Sequence, residues 1–237
     1  MTKILVLQHH PEEGLGSLQH ILAAQGHQTE VHRLDLGVPV PDRLLGYGAL
    51  IIMGGPMSVH DTGRYPWLLS EQQIIRRAVG EEFPVLGHCL GGQLIARALG
   101  GQVTPNPDGP EIGWWPVTKT LEAMSSDWLA GLPDSFTLFH WHGETFSLPS
   151  GAVPLLSSDF CTQQAFAIGK HCLALQSHPE VTPAMVQAWT KSMADDLQQT
   201  GAGVQRSRTI HDHLEHRCEE LLGSATAIYR PWLEQLR

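Results

Sequence analysis

Short apolar runs alternate with stretches of helical spacing through the N-terminal part of the chain, and this alternation is what most restricts its fold. Residues 3–8 (KILVLQ) are a compact apolar run, 16–26 (GSLQHILAAQG) carry apolar residues at helical spacing, and 29–35 (TEVHRLD) alternate as a strand does. Residues 49–55 (ALIIMGG) form a further apolar run, and 66–80 (PWLLSEQQIIRRAVG) an amphipathic helix opened by Pro66. A third apolar run, 84–91 (PVLGHCLG), passes directly into the helical stretch 93–101 (QLIARALGG), which stops on Gly100 and Gly101. Strands that are apolar along their whole length need cover on both faces. The pattern therefore predicts an α/β fold, a mostly parallel central sheet with helices on both faces joined by right-handed crossovers.

The middle of the chain changes character. Residues 102–120, 135–149 and 164–180 are β-rich without long helices between them, which predicts a small antiparallel extension of the sheet. Residues 182–201 (TPAMVQAWTKSMADDLQQTG) read as one long helix, with Thr182 as its cap and Pro183 in its first turn. After Gly201-Ala202-Gly203 a second helical stretch covers 210–236, with Leu214, Leu221, Leu222, Ile228, Trp232 and Leu236 set among charged residues. That is the pattern of an amphipathic helix, or two, packed on a domain. The expected organisation is one domain over 1–200 and a C-terminal helical extension over 201–237 packed on it.

Composition narrows the function. With 237 residues, 42% hydrophobic and 16% charged, the chain is globular and long enough for a substantial core. A net charge of −9 and no block of Lys or Arg argue against a nucleic-acid surface. The apolar run near the N-terminus is too short for a secretory signal and no later stretch could span a bilayer, so no membrane partner is expected. Cys89, Cys161, Cys172 and Cys218 are scattered without a CxxC pair, which suggests neither a disulfide framework nor a zinc site. A reducing, cytoplasmic setting fits this usage.

Three stretches carry chemistry. In LGHCLGGQL (86–94), Gly87 and Gly91 flank Cys89 where an apolar strand gives way to a helix. Glycines at those positions permit a tight turn that presents a thiol at the sheet's carboxyl edge. The following helix N-terminus favours a thiolate, and the Leu90 amide is left free as an oxyanion donor. A buried cysteine in a packed strand is the competing reading, and this stretch alone leaves both open. In LALQSHPE (173–180), His178 and Glu180 share one side of an extended segment, so a carboxylate could orient an imidazole; two solvated loop residues would look the same. In IIMGGPMSV (51–59), a strand ending in Gly54-Gly55-Pro56 offers the Gly55 amide at the same edge. His140 and His142 face one way on a strand, but no third ligand stands at a telling spacing, so no metal is expected. His9 and His10 fall at the same edge, as pocket rim or as an ordinary solvated loop.

Together GGP (54–56), GHCLGGQ (87–93) and SHPE (177–180), in this order and spacing, resemble the class I glutamine amidotransferase family, in particular the amidotransferase part of GMP synthase and its stand-alone relatives. The resemblance covers residues 3–195 and implies a flavodoxin-like three-layer sandwich. It implies Cys89 as nucleophile, His178 as general base and acid, and Glu180 as the carboxylate that orients it. Gly55 and Leu90 match the oxyanion amides, while Gly54 and Gln93 fall with the substrate contacts. WHGE (141–144) is similar to the family's Ser-His-Gly-Asp segment, which puts Trp141, His142 and Gly143 along bound glutamine. The implied reaction, which needs no cofactor, cleaves the γ-amide of glutamine or of a γ-glutamyl compound through a γ-glutamyl thioester.

The chain departs from the family's usual setting. After residue 195 there is only a helical tail and no phosphate-binding Gly-x-x-x-x-Gly-Lys-Ser/Thr loop, so synthesis of GMP by this chain alone is not expected. Two enzyme roles remain, a glutaminase subunit serving an unidentified synthase subunit or a free-standing γ-glutamyl peptidase or hydrolase. An α/β-hydrolase with Asp159 as its acid, and a non-catalytic module that binds glutamine-like ligands, are the rivals from other classes.

Overall fold

Each apolar run of the N-terminal half becomes a strand, and the amphipathic stretches between them carry the chain back across the sheet. The computed structural model describes residues 1–236, so the last residue of the expected extension, Arg237, lies outside the described residues. In chain order the first half holds β1 (Lys3–Gln8), α1 (Ser17–Ala24), β2 (Gln28–Arg33), β3 (Ala49–Ile52), α2 (Trp67–Gly80), β4 (Val85–His88) and α3 (Leu90–Ala98). The β-rich middle supplies β5 (Val103–Pro105), β6 (Glu111–Lys119), the short helix α4 (Leu121–Met124), β7 (Ser135–His142) and β8 (Glu144–Phe146). Then follow β9 (Val153–Ser157), β10 (Ala165–Ile168) and β11 (Cys172–Leu175), and the helices α5 (Pro183–Ser192), α6 (Ser207–His211) and α7 (Leu214–Leu233).

Nine strands form one sheet in the order β2-β1-β3-β4-β11-β10-β9-β6-β7. The first five run parallel to one another. The antiparallel extension continues the same sheet for four strands, and β5 pairs with β8 beside it. The two faces are legible in β1 alone. Ile4 and Val6 point into a core shared with Leu18 and Leu22 of α1 and with Ile228 and Trp232 of α7. Leu5 and Leu7 point into another, shared with Leu68 and Ile75 of α2 and Leu94 and Ile95 of α3. Alternation along a fully buried strand thus makes the flavodoxin-like three-layer sandwich, each buried aliphatic side chain contributing about 1.5–3 kcal/mol.

The first C-terminal helix is shorter than the single long stretch expected. Thr182 caps α5 by accepting from the Met185 amide, with Pro183 in the first turn. The helix then ends at Ser192 rather than near 201. A short 3-10 turn, Asp196–Gln198, follows, and the Asp196 carboxylate accepts from Trp141 Nε1 at 3.0 Å and from the Gln199 side-chain amide. The second stretch breaks at His213, whose φ of 53° is left-handed, into α6 and α7. Helix α7 lays Leu221, Ile228, Tyr229 and Trp232 into the same core as α1 and α5. No helix among the described residues is long and apolar enough to cross a membrane.

One consequence of the strand order positions the site. The carboxyl ends of β1, β3, β4 and β11 are adjacent in the sheet. The residues that follow them are His9, Met53-Gly54, Cys89 and Gln176-Ser177-His178. Carboxyl edges of this kind are where open α/β sheets bind ligands.

Candidate active site

Cys89 sits alone between β4 and α3, with φ 49° and ψ −107°. A non-glycine residue held there is strained, by roughly 1–3 kcal/mol, and the surrounding packing has to over-determine it. Its amide donates to the Leu175 carbonyl at 2.8 Å and its carbonyl accepts from the Gln93 amide at 2.9 Å, so strand and helix grip it from both sides. The neighbouring glycines serve this grip. A Cβ on Gly87 would stand 2.6 Å from the Gly91 backbone, one on Gly91 would run into the Ile52 carbonyl, and one on Gly92 would stand 2.5 Å from the Leu175 carbonyl oxygen. Helix α3 therefore rests directly on the backbones of β3 and β11, and the thiol projects past the sheet edge. Sγ lies 3.7 Å from the Trp141 carbonyl and 3.6 Å from Gln176 Nε2.

His178 meets Cys89 from β11's side. Its Nδ1 donates to Glu180 Oε1 at 2.8 Å, because a carboxylate only accepts, which turns Nε2 toward the Cys89 thiol. The ring packs edge-on against Trp189 of α5 with centroids 4.8 Å apart. Burial alone would push His178 down, but the Glu180 charge and the bond to Cys89 outweigh it and hold the imidazole well above its ordinary value. Burial would likewise raise Glu180, yet His88 and His178 hold it below the usual carboxylate value. The bond to His178 comes from Glu180 rather than from Asp159, the acid of the rival reading.

Behind Glu180 the arrangement extends to a residue that no sequence motif marks. Glu180 Oε2 has no hydrogen bond of its own and lies 3.7 Å from His88 Nε2, which is 2.8 Å from the Tyr229 hydroxyl of α7. All three groups are buried, and burial lowers His88 below its ordinary value. Tyr229 is thus a positioning residue, holding His88 against the carboxylate that orients His178. Tyr229→Phe removes about 1 kcal/mol of neutral hydrogen bonding, so kcat is expected to fall about fivefold with KM nearly unchanged. Steady-state kinetics beside a folding control checks this; an unaltered kcat rejects the role.

The Gly54-Gly55 turn is fixed from the opposite side. His9, expected as rim or solvated loop, is 1% exposed and donates from both ring nitrogens, to the Gly54 carbonyl and to Glu71 Oε1, each at 2.9 Å. Burial works to lower its pKa, and the Glu71 charge overrides that and raises it. A Cβ on Gly55 would stand 2.8 Å from the Leu90 side chain, so the two residues expected as oxyanion donors are in contact. Gln93 is buried, its amide nitrogen 3.3 Å from the Glu144 carbonyl and 3.2 Å from Gln176 Oε1. Gly55, Cys89, Gln93 and His178 share one pocket of about 640 Å³ with Trp141, His142 and Gly143. Gly54, Leu90 and Glu180 stand behind its wall rather than on it.

Two features of this region lay outside the sequence reading. Glu13, on the loop after β1, is 7% exposed, lines the pocket, and its carboxylate meets no hydrogen-bond donor among the described residues. Burial pushes it up to about 7 against the pull of His178 and His9. The second is a third partner for the His140–His142 pair. Antiparallel register sets Glu111 of β6 opposite His142, and ligand-capable atoms of Glu111, His140 and His142 all lie within 4.8 Å of one another. Glu111 also accepts from the Gln164 amide, and its Oε2 is 3.0 Å from His142 Nε2. Spacing along one strand gives no sign of a partner on the next.

The chain is similar to known proteins over most of its length. The family described as glutamine amidotransferase class-I matches residues 15–188. The glutamine amidotransferase-like protein YfeJ of Salmonella typhimurium is 30% identical over 212 residues, 88% of this chain and 87% of that protein. Gamma-glutamyl peptidase 3 of Arabidopsis thaliana is 30% identical over 165 residues, 66% of this chain and 64% of that one. Among solved structures, a glutamine amidotransferase from Methylobacillus flagellatus superposes with a TM-score of 0.94 at 34% identity, covering 100% of this chain and 96% of that one.

Proposed function

The chain belongs to the class I glutamine amidotransferase family, and we propose that it hydrolyses the γ-amide of glutamine or of γ-glutamyl compounds with Cys89, His178 and Glu180 as its triad. The observation that carries the reading is Cys89 on a strained strand-to-helix turn, sharing one pocket with an imidazole whose Nδ1 is 2.8 Å from Glu180.

The Cys89 sulfur attacks the γ-carbonyl carbon, and the oxyanion that forms is held by the Gly55 and Leu90 amides. His178 hands a proton to the departing nitrogen as the carbon–nitrogen bond breaks, leaving a γ-glutamyl thioester and a free amine or ammonia. A water molecule deprotonated by the same imidazole then attacks the thioester carbonyl. Glutamate leaves as the carbon–sulfur bond breaks, and the thiol regains its proton from the imidazolium. Glu180 keeps Nε2 of His178 toward the sulfur and balances the imidazolium that appears in each half-reaction. Gln93 and the Trp141-His142-Gly143 backbone line the side of the pocket suited to the γ-glutamyl end. Every step uses groups of the protein and water, with no metal or cofactor.

The test is to catch the thioester. Acid-quenched enzyme, sampled within the first turnovers of a γ-glutamyl anilide and weighed as intact protein, is expected to carry one γ-glutamyl group. Peptide mapping should locate it on Cys89, and hydroxylamine should divert it to the γ-hydroxamate. Turnover without any adduct, or an adduct on another residue, overturns the assignment.

A further inference from the structure

The charges around the pocket are of one sign. Besides the paired Cys89 and His178, it is lined by the carboxylates of Glu13, Asp61, Glu144, Asp195 and Asp196, and no lysine or arginine among the described residues lines it. None of these five acids forms an ion pair among the described residues. The carboxylates at the mouth are partly spoken for: Asp61 accepts from the Ser58 amide, Glu144 from the Ser58 hydroxyl and Asp196 from Trp141. Glu13, deepest of them, has no donor at all.

Glu13 is also built into position. The Trp189 indole donates to the Glu12 carbonyl at 3.0 Å, and the Gln8 amide holds the His10 carbonyl at 2.8 Å. A Cβ on Gly54 would collide with the Glu13 carboxylate and stand 3.2 Å from His178 Cε1, so the carboxylate lies beside the general acid. This is the side where a leaving amine departs. A cation brought by a ligand to this carboxylate would offset the burial that otherwise favours its neutral form.

We propose that the leaving-group side of the pocket is built for a cation, so that the preferred substrates are γ-glutamyl amides of amines bearing a second positive charge, diamines or polyamines. Leaving groups ending in a carboxylate, such as amino acids and peptides, are disfavoured. The inference rests on the γ-glutamyl hydrolase reading above. The far ammonium of such a substrate meets the acids of the mouth. The amide nitrogen, which gains a proton from His178 as its bond to carbon breaks, becomes cationic beside Glu13. Trp141 and Trp189 offer apolar walls for the methylene chain between them.

The test compares three γ-glutamyl amides of equal chain length: of putrescine, of butylamine, and of the corresponding aminobutyrate. Near-surface charge pairs at a few ångströms predict kcat/KM in the order cationic, neutral, anionic, with about tenfold between the first two at low ionic strength and less in added salt. Glu13→Gln is expected to draw the cationic-to-neutral ratio toward one, and the exposed Asp195→Asn, which cannot disturb folding, to reduce it in part. Equal or faster turnover of the neutral or anionic amide, or a ratio that neither substitution moves, overturns the proposal. Hydrolysis of glutamine but of none of the three amides also overturns it while leaving the hydrolase reading intact. Glutamine and all three amides inert together would reject that reading itself.

Discussion

Replacing Cys89 by alanine is expected to lower γ-glutamyl hydrolysis by about four orders of magnitude or more, the scale on which loss of a nucleophile acts when its partners remain. The structure makes the experiment clean. Cys89 is held by its own backbone bonds to Leu175 and Gln93 rather than by its thiol, so the variant keeps the turn. The residual rate measures what the amides of Gly55 and Leu90 and substrate binding contribute without covalent chemistry. Binding of a γ-glutamyl amide to the inactive protein, followed by calorimetry, should survive. Retained turnover in Cys89→Ala would reject the nucleophile; binding without turnover in the unaltered protein would instead favour a ligand-sensing module.

The second large effect concerns stability. Gly91→Ala introduces a methyl group where the Ile52 carbonyl already stands, in the contact that seats α3 on β3. Alanine favours a helix over glycine by about 1 kcal/mol, but a clash with strand backbone cannot be relieved by turning a side chain. A net loss of about 3 kcal/mol is expected, visible as a melting point lowered by roughly 6–12 °C. Gly223→Ala is the control. Gly223 lies mid-way along α7 on its exposed face, with nothing near its missing Cβ, so the same substitution should stabilise by about 0.5–1 kcal/mol. Equal melting points for the two variants would show that helix propensity alone governs these positions.

How much of this was legible beforehand follows the range of the interactions. The strands β1, β3 and β4, the amphipathic α2 and the capped start of α5 are written in periodicity and end signals within a few residues. The turn at Cys89 is written the same way, since Gly87, Gly91 and Gly92 remove Cβ atoms from contacts that all lie within one strand-to-helix junction and its immediate floor. His178 and Glu180 could be paired because two residues apart on an extended chain face the same way. Where α5 stops was not readable, because no glycine or proline marks Ser192 and the apolar spacing runs on past it.

Sequence by itself determined the layered architecture, because that follows from local spacing, whereas Cys89, His178 and Glu180 were joined as a candidate triad only by the family resemblance of their three motifs. Only the tertiary structure decided that His9 is a buried clamp on the Gly54 carbonyl rather than a solvated loop residue. It alone brought Glu111 beside His140 and His142 by register, and Tyr229 to His88 by the packing of α7 on the sheet. It also gathered Glu13, Asp61, Glu144 and the Asp195-Asp196 pair, from four separate points of the chain, around one thiol. The physical reason is the same in each case. Alternation and turn chemistry act between neighbours in the chain, whereas the field inside a pocket is set by residues that crossovers and strand order bring together.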